Sequence, residues 1–542
     1  MDIIYGIDLG TSNCLAAKAT KVFDQVEIDC LIDDFGNESF PSVVHFSDEE
    51  NIIVGEKAKR LLPDYPEATA ELVKLLLGKE REVKIFLGGV EKNFSPQEIS
   101  ALLLRHFNYL HQNNIKRAVL TVPAYFDDNK KAATLQAGEL AGIEIVELIE
   151  EPSAAIMYHL FDHYHRNNKK LLKKGEEKNY LVFDFGGGTL DLSFIKVELD
   201  DNNHLKPTVQ IKEGDTELGG NLIDLEFTKL ILEYLDEDYD DPFTNSLIYE
   251  FKYYYNNGRF RMEIDNEVKE FIIRLKNTLE HVKIKLSFKE SELIEFGILE
   301  YENYNFTREE FEEDILEVFF RDRVLEILSK IKEKNRNNDP IDEVILVGGT
   351  SQIPYFRNLI SIHFPELKDN IVVSGNYENA IAMGASILGA IISGTEVAPF
   401  GKNRCYNIVS HNILVNDSLF INYGTKFPFA EPEKLSFEIE HALQTKISIN
   451  ISEQYESYNS SLKKRELQSR TIKKLNFYHP FFYKGEELSI SLEINDHGLL
   501  YFNAIHETTK ENIDFEADKM FQLEDHELDE ATSNIKKYHD II

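Results

Sequence analysis

Cysteine is scarce: Cys14, Cys30 and Cys405 are the only three in 542 positions. An odd number without zinc-ligand spacing excludes a disulfide framework and points to reduced or buried thiols in a reducing compartment. Positive charge is also short, with 59 Lys and Arg against 95 Asp and Glu and a formal net charge of −36. A nucleic-acid surface needs clustered Lys and Arg, so no nucleic-acid partner is expected, and the acidity reads as solubility. Long apolar runs are missing too. The most apolar helix-like stretch, Ala380–Ile392, is too short and too rich in Gly and Ala to span a bilayer. No basic or apolar leader precedes the first strand, so neither a signal peptide nor a membrane is expected, and the chain reads as cytoplasmic. There is no Gly-x-x-x-x-Gly-Lys-Ser/Thr and no strand followed by Gly-x-Gly-x-x-Gly, which weakens the P-loop and dinucleotide readings.

What is present is organised around Tyr180–Asp191. An apolar run, Leu181-Val182-Phe183, reaches Asp184, turns through Gly186, Gly187 and Gly188, and resumes as a strand carrying Asp191. Glycine amides can approach a bulky anion closely, and two flanking carboxylates suggest a metal ion or a water to be activated. The same grammar opens the chain, where Ile3–Ile7 leads into Asp8-Leu9-Gly10-Thr11-Ser12-Asn13. Two such turns look like the halves of one phosphate clamp.

A chain of this length exceeds one core, so at least two domains are expected. Residues 1–46 read as a β-meander. Ala68–Leu77 has helical spacing around Lys74, and a lone Lys on such a helix is ordinarily solvated. Ser95-Pro96-Gln97-Glu98 is a helix start, Arg117–Val122 a strand, Asp127–Gly142 a helix and Glu144–Ile149 a strand delivering Glu150-Glu151-Pro152. That alternation implies a parallel or mixed sheet with helical cover, ligands sitting beyond the strand ends. Asp162–Lys178 reads as a loop, and His159, His163 and His165 as surface residues in preference to a metal site. From Tyr180 the pattern restarts as a second copy, passing Gly214–Gly220 and an acidic run, Asp236–Asp241, read as a solvated loop. Glu280, Lys283 and Ser287 share one helix face, open to either surface ion pairs or a ligand. Val344–Val347 ends in Gly348-Gly349, and the small residues of Asn379–Ile392 suit close packing on a sheet. After Thr395–Arg404, a polar linker, period-two alternation such as Ile447-Ser-Ile449-Asn-Ile451 predicts a β-sandwich, and Gln522–Ile542 one short helix.

Two Asp-Gly hairpins, a Val-Gly-Gly strand end and a duplicated α/β lobe resemble the actin, sugar-kinase and heat-shock ATPase superfamily. The texts Thr121-Val-Pro-Ala-Tyr-Phe126, Glu151-Pro-Ser-Ala-Ala155, Asp184–Asp191 and Gly214–Gly220 together resemble the heat shock protein 70 (DnaK-type) chaperones. The likeness is close to about residue 393 and weaker beyond, in Thr425-Lys-Phe-Pro428 and Ile494-Asn-Asp-His-Gly-Leu499. It implies actin-like, ribonuclease H-like ATPase lobes at 1–178 and 179–393, a linker at 394–404, a peptide-binding sandwich at 405–517 and a helical lid remnant at 518–542.

The resemblance also implies roles. Asp8 and Asp184 would hold Mg²⁺ through waters, with K⁺ a further candidate. Gly10, Thr11, Ser12, Asn13, Gly186, Gly187 and Gly188, with Gly219 and Gly220, would bind the phosphates of ATP or ADP. Lys74 falls where the family has its catalytic lysine, with Glu151, Asp191 and Thr189 completing the water and metal network. Glu280, Lys283, Ser287, Gly348 and Gly349 would bind adenosine. Phe437, Ile447, Ile449 and Leu488 would hold an extended client polypeptide, although alternation alone fits ordinary sandwich core equally well. A J-domain co-chaperone and a nucleotide exchange factor are the implied partners.

Three departures bear on nucleotide affinity, in the case of Gln352, and on coupling, in the case of Lys131 and the linker. Gln352 replaces an Arg that lies over the adenine in the family, Lys131 replaces an Arg, and Val397-Ala-Pro-Phe-Gly-Lys-Asn403 replaces an acid-tipped linker. The short C-terminal region most resembles the shortened, specialised bacterial (HscC-like) branch. The expected function is an ATP-driven peptide-binding chaperone. A nucleotide-sensing scaffold and a small-molecule kinase of the same superfamily are the alternatives.

Overall fold

A computed structural model describes residues 3–540 except 24, 34–35, 80–81, 113, 167–170, 262–263, 298–300, 374–377, 428–432, 440–443, 460–463, 496, 513–514 and 518–521. Pro428 and Asp496 of the quoted turn texts therefore lie outside the described residues.

Two five-strand paths repeat one topology. The first runs Glu144–Glu150, Arg117–Val122, Tyr5–Leu9, Asn13–Val22, Gln25–Cys30, with Ser39–Pro41 paired to Asn13–Val22. The second runs Leu205–Asp215, Leu190–Leu199, Lys178–Phe185, Glu343–Val347, Ile371–Val373. In each, three consecutive strands form an antiparallel meander whose first strand also takes a later strand in parallel. The expected doubling into actin-like lobes is thus visible strand by strand. Asp8 and Asp184 occupy the same place in their sheets, near the C-terminal end of the meander's first strand.

Helices Glu151–Arg166 and Ala380–Ile392 fill the space between the sheets, and one buried apolar cluster joins Ile4, Val119 and Ile149 to Val182, Ile345 and Leu388. The small residues are needed there. A Cβ on Gly384 would sit 1.8 Å from the Ala154 carbonyl oxygen, and one on Gly6 would lie 2.2 Å from the Ser386 nitrogen. Val397 and Phe400 of the linker are fully buried in the same cluster, so 394–404 is packed chain here and no polar spacer.

Several local expectations are corrected. Ala68–Leu77 forms no α-helix: a short strand, Thr69–Ala70, is followed by a 3₁₀ turn, Val73–Leu76, entered through Leu72 at φ 59°. The helix from Glu151 continues to Arg166, so His159, His163 and His165 are helical. His159 is buried with Nε2 3.1 Å from Glu343, and among the described residues no cluster could hold a metal. Asp236–Asp241 ends helix Gly220–Tyr239 and starts the next, with Asp241 accepting from the Phe243 and Thr244 amides. Ser95 and Glu98 do form a reciprocal cap, and Arg117–Val122 is a strand. All three cysteines are free thiols, pushed up to about 12 chiefly by burial. Among the described residues no helix is long and apolar enough to cross a membrane.

Beyond Cys405 two antiparallel sheets form the sandwich. One runs Ser418–Ile421, Asn412–Val415, Gln444–Asn459, Lys464–Phe482, Phe515–Ala517, the other Glu433–Glu438, Glu487–Ile494, Leu500–His506, Glu511–Asn512. They enclose a core of Ile413, Ile449, Ile451, Leu475, Phe477, Leu488 and Leu492, among others. The expected C-terminal helix forms at Asp525–Lys536, but it lies on the first lobe instead of across the sandwich.

The sandwich is docked on both lobes by charge. Arg465 reaches Asp215 (2.9 Å) and the Gly214 carbonyl, Arg470 pairs with Asp127, and Lys473 with Asp128 (2.7 Å). Lys131 donates to the Gly498 carbonyl at 3.4 Å, one bond from a compact ammonium. Two groups in this interface titrate oppositely. Burial first, then Asp127, pushes Glu453 from 4.5 up to about 8, with Asp128 adding to and Arg470 and Lys131 opposing the rise. Burial pulls His411 from 6.5 down to about 3 near Asp127, Lys131, Arg470 and Lys130, its ring edge-on to Tyr125 at 4.7 Å. A raised carboxyl favours docking fully below 4.5 and loses that contribution as pH climbs toward 8; a depressed imidazole contributes fully above 6.5 and loses it as pH falls toward 3. The opposed slopes offset between 4.5 and 6.5, so docking should be tightest there and loosen on either side. Small-angle scattering at about pH 5.5 and 8.5 should show expansion at the higher value, and Glu453→Gln should remove it. Equal radii in the parent chain would refute the assignment.

Candidate functional site

The strand ends of both lobes converge on a cleft lined by Asp8, Gly10, Thr11, Ser12, Asn13, Lys74, Glu151, Asp184, Gly186, Gly187, Gly188, Thr189, Gly348 and Gly349, together with Leu15, Ser39, Glu378 and Ile381. The two glycine turns face each other. A Cβ on Gly187 would lie 2.1 Å from Ser12 Oγ, and one on Gly188 2.6 Å from Thr11 Oγ1, so neither turn tolerates a side chain at this approach. The second turn is held by Gly186 N donating to Thr189 O (3.1 Å) and by Gly220 N and Thr350 Oγ1 donating to Gly186 O. Gly348 needs its φ of 78° where it passes Phe185.

Lys74 is buried, its ammonium 2.6 Å from Glu151 Oε1. The 3₁₀ turn aims it inward, away from the solvated placement its local pattern suggested before the resemblance was weighed. Burial pulls this ammonium down, and Glu151 with Asp8 more than reverses it, so Lys74 stays charged. Asp8 accepts from Thr121 Oγ1 at 2.7 Å, and Asp191 from the Tyr125 amide at 3.1 Å. Burial, reinforced by Glu151, pushes Asp8 up to about 6 and Asp191 to about 7, and Asp184 is pushed well above the usual carboxylate range by the same causes. Four buried carboxylates thus surround one ammonium, and Asp184 Oδ2 and Asp191 Oδ2 have no hydrogen-bond partner among the described residues. Buried carboxylates in that condition call for further positive charge.

The proposed adenosine residues are arranged differently. Lys283 turns to Asp224 (2.7 Å) and the Gly220 carbonyl (3.2 Å), beside the Gly219-Gly220 turn. Glu280 is paired with Lys59 at 2.6 Å, and Ser287 Oγ donates to the Lys283 carbonyl at 3.4 Å. The face they share is therefore an ion-pair face as it stands, next to the turn and outside the cleft lining. Gln352 donates to Ser351 Oγ at 3.0 Å.

Sequence reasoning missed the ion pairs that bridge the two lobes. Asp64, Glu67 and Glu71 of the first lobe reach Arg274, Lys269 and Lys276 of helix Asn266–Leu286, alongside Lys59–Glu280. Pairs about two hundred residues apart leave no local pattern. Asp224 was also missed, although it lies four residues after Gly220. In the sandwich, Phe437 sits opposite Leu488 in register, Ile449 and Leu488 are buried, and Phe437 and Ile447 pack half-buried against the same core.

Known proteins match this chain in sequence. A family model described as Hsp70 protein matches residues 4–541. The chaperone protein DnaK of Thermosipho melanesiensis is 34% identical over 415 residues, 73% of this chain and 60% of that protein. DnaK of Carsonella ruddii is 28% identical over 551 residues, 93% of this chain and 81% of its own. Heat shock 70 kDa protein 2 of Paracoccidioides lutzii is 30% identical over 422 residues, 72% of this chain and 57% of its own. The chain thus spans about 60% of the first of these relatives. With a family match over nearly its whole length and the doubled lobes, facing glycine turns and sandwich all in place, the chain belongs to the Hsp70 protein family.

Proposed function

We propose that the chain is an ATP-dependent molecular chaperone, hydrolysing ATP in the cleft to control capture and release of extended apolar polypeptides by the sandwich. The observation that carries this is the pair of facing glycine turns around a buried Lys74–Glu151 pair and under-compensated carboxylates. Nucleotide with Mg²⁺ fits that chemistry: the amides of Gly186, Gly187 and Gly188 with Thr11 and Ser12 suit phosphate oxygens, and Asp8 and Asp184 suit a hydrated divalent cation. Bound Mg²⁺ would supply the positive charge that the carboxylates lack. Lys74, fixed by Glu151, offsets charge at the terminal phosphate and orients a water; Asp191 and Thr189 hold that water's surroundings. Gly219, Gly220, Gly348 and Gly349 border the nucleotide, with Glu280, Lys283 and Ser287 toward the adenosine once their ion pairs rearrange. K⁺ is a further candidate beside the phosphates.

The lobes at 1–178 and 179–393, linker 394–404, sandwich 405–517 and terminal segment 518–542 are the proposed working units. A J-domain co-chaperone, an exchange factor and a cytoplasmic setting belong to the same proposal.

The ion pairs that bridge the lobes would then gate nucleotide release. Lys276 and Glu71 are the better buried, at 6% and 20% side-chain exposure, whereas Arg274 and Asp64 are about half exposed. Lys276→Ala should therefore speed release of a fluorescent nucleotide by a factor of ~5, about 1 kcal/mol of closure, and Arg274→Ala hardly at all. Stopped-flow release rates that respond equally to both changes would refute this ranking.

A nucleotide-responsive scaffold with a docking sandwich is the second reading, favoured by Ile449 and Leu488 being spent on the sandwich's own core. A labelled apolar peptide decides between them. The chaperone requires that ATP accelerate its dissociation; no binding at all would make the sandwich a docking domain.

A further inference from the structure

Each glycine turn of the cleft is held from behind by a buried hydroxyl. On the second lobe Thr350 does this, its Oγ1 donating to the Gly186 carbonyl at 2.8 Å. On the first lobe the counterpart is Ser42, which follows strand Ser39–Pro41 where Pro41 lies opposite Asn13. Ser42 Oγ donates to the Gly10 carbonyl at 2.7 Å, and the Ser42 amide donates to the Ser12 carbonyl at 2.8 Å. Gly10 and Ser12 line the cleft, whereas Ser42 stands behind them, 4% exposed and outside that lining. The direction of its remaining bond follows from counting protons. A serine hydroxyl has one hydrogen, and Gly10 takes it, so the Cys14 thiol 3.2 Å away donates to Ser42 Oγ. Burial pushes that thiol up to about 12, so the proton stays on sulfur. Cys14, Ser42 and Gly10 thus form one relay of hydrogen bonds, each polarising the next.

The relay settles which face the turn shows to a ligand. Phosphate is bound by amides and hydroxyls, and a backbone carbonyl turned toward it is repulsive. A Cβ on Gly10 would lie 2.0 Å from the Asn13 carbonyl oxygen, so the turn requires glycine there. Glycine also leaves its peptide the most freedom to turn over, so the orientation has to be imposed by another segment. We infer that Ser42 is a positioning residue for nucleotide phosphate, holding the Gly10 and Ser12 carbonyls away from the cleft so that the Gly10–Asn13 turn keeps its anion-binding form. This role rests on the cleft being a nucleotide site, as proposed. Without the hydroxyl the turn also populates forms with a carbonyl facing the ligand, and affinity falls by the fraction of chains left in the binding form.

The turn begins two residues after Asp8, at the end of the cleft where Lys74 would meet the terminal phosphate, so the loss should depend on phosphate number. Calorimetric titration of the intact chain with ATP, ADP and AMP in Mg²⁺ reads that dependence. Ser42→Ala should weaken ATP and ADP about ten-fold, the size expected when a buried acceptor loses its donor, and AMP less than about two-fold. Ser42→Thr keeps a donor and should bring ATP to within about three-fold of the parent. A parent chain that binds no ATP would overturn the nucleotide reading, and this role with it. Where the parent does bind ATP, three results overturn the role of Ser42 alone: unchanged ATP affinity in Ser42→Ala, an equal loss for all three nucleotides, or no recovery in Ser42→Thr.

Discussion

Lys74→Ala is expected to lower single-turnover ATP hydrolysis by at least ~100-fold while leaving nucleotide bound, the scale on which loss of one preorganised charged group acts. Binding survives because the phosphate cradle is made by backbone at Gly186, Gly187 and Gly188 and by Thr11 and Ser12, whereas the Lys74 ammonium is bonded to Glu151. Hydrolysis fails because Lys74, the ammonium buried beside Asp8, Glu151, Asp184 and Asp191, is gone. The same change predicts a thermal signature. Without Lys74 the carboxylates repel more strongly, so the nucleotide-free protein should melt lower, and Mg²⁺ with ATP should restore more stability to the variant than to the parent. Rapid-quench turnover and thermal shifts with and without Mg-ATP measure both effects. Parental turnover in Lys74→Ala would remove the catalytic assignment.

The residues that build the cleft were legible because each glycine turn carries its chemistry within about twelve consecutive positions, and because the doubling repeats it. Strand Arg117–Val122 and the Ser95–Glu98 cap were equally local signals. Lys74 was not. Leu72, Leu75 and Leu76 imitate a helix stripe, but the chain breaks that periodicity at Leu72 to deliver the lysine to a carboxylate 77 positions away. His159, His163 and His165 read as surface residues because the text after them is polar, although helix Glu151–Arg166 carries all three and brings the His159 ring to Tyr180. Sandwich alternation reports burial faithfully and says nothing about which buried residues meet a ligand. The docking of 523–540 on the first lobe depends on Phe46, Phe94 and Gln136, distant residues whose own patterns are those of ordinary core and surface.

Lys212→Met should be the most destabilising single change at the junction of lobes and sandwich, at about 3–5 kcal/mol, the usual consequence of leaving a buried charge without its partner. Lys212 has no exposed surface, and its ammonium lies 2.6 Å from Glu150, which is nearly as buried. It also donates to the Ile408 carbonyl (2.8 Å), at the start of the sandwich, while Tyr423 OH exchanges hydrogen bonds with the Lys212 backbone. Burial pulls this ammonium down and Glu150 holds it up, so the pair is stable only while both charges are present. One side chain therefore ties the second lobe's meander to the first lobe and to the chain entering the sandwich. Glu150 immediately precedes Glu151, so an unpaired Glu150 should also disturb the carboxylate that fixes Lys74. Urea midpoints should fall sharply for Lys212→Met and recover substantially in Lys212→Met/Glu150→Leu, which removes the orphaned charge. Turnover should not recover with stability, because the double variant restores packing without the bond to Ile408. If the single variant is as stable as the parent, the junction is held by the surrounding apolar cluster alone, and Lys212 has no part in joining the three elements.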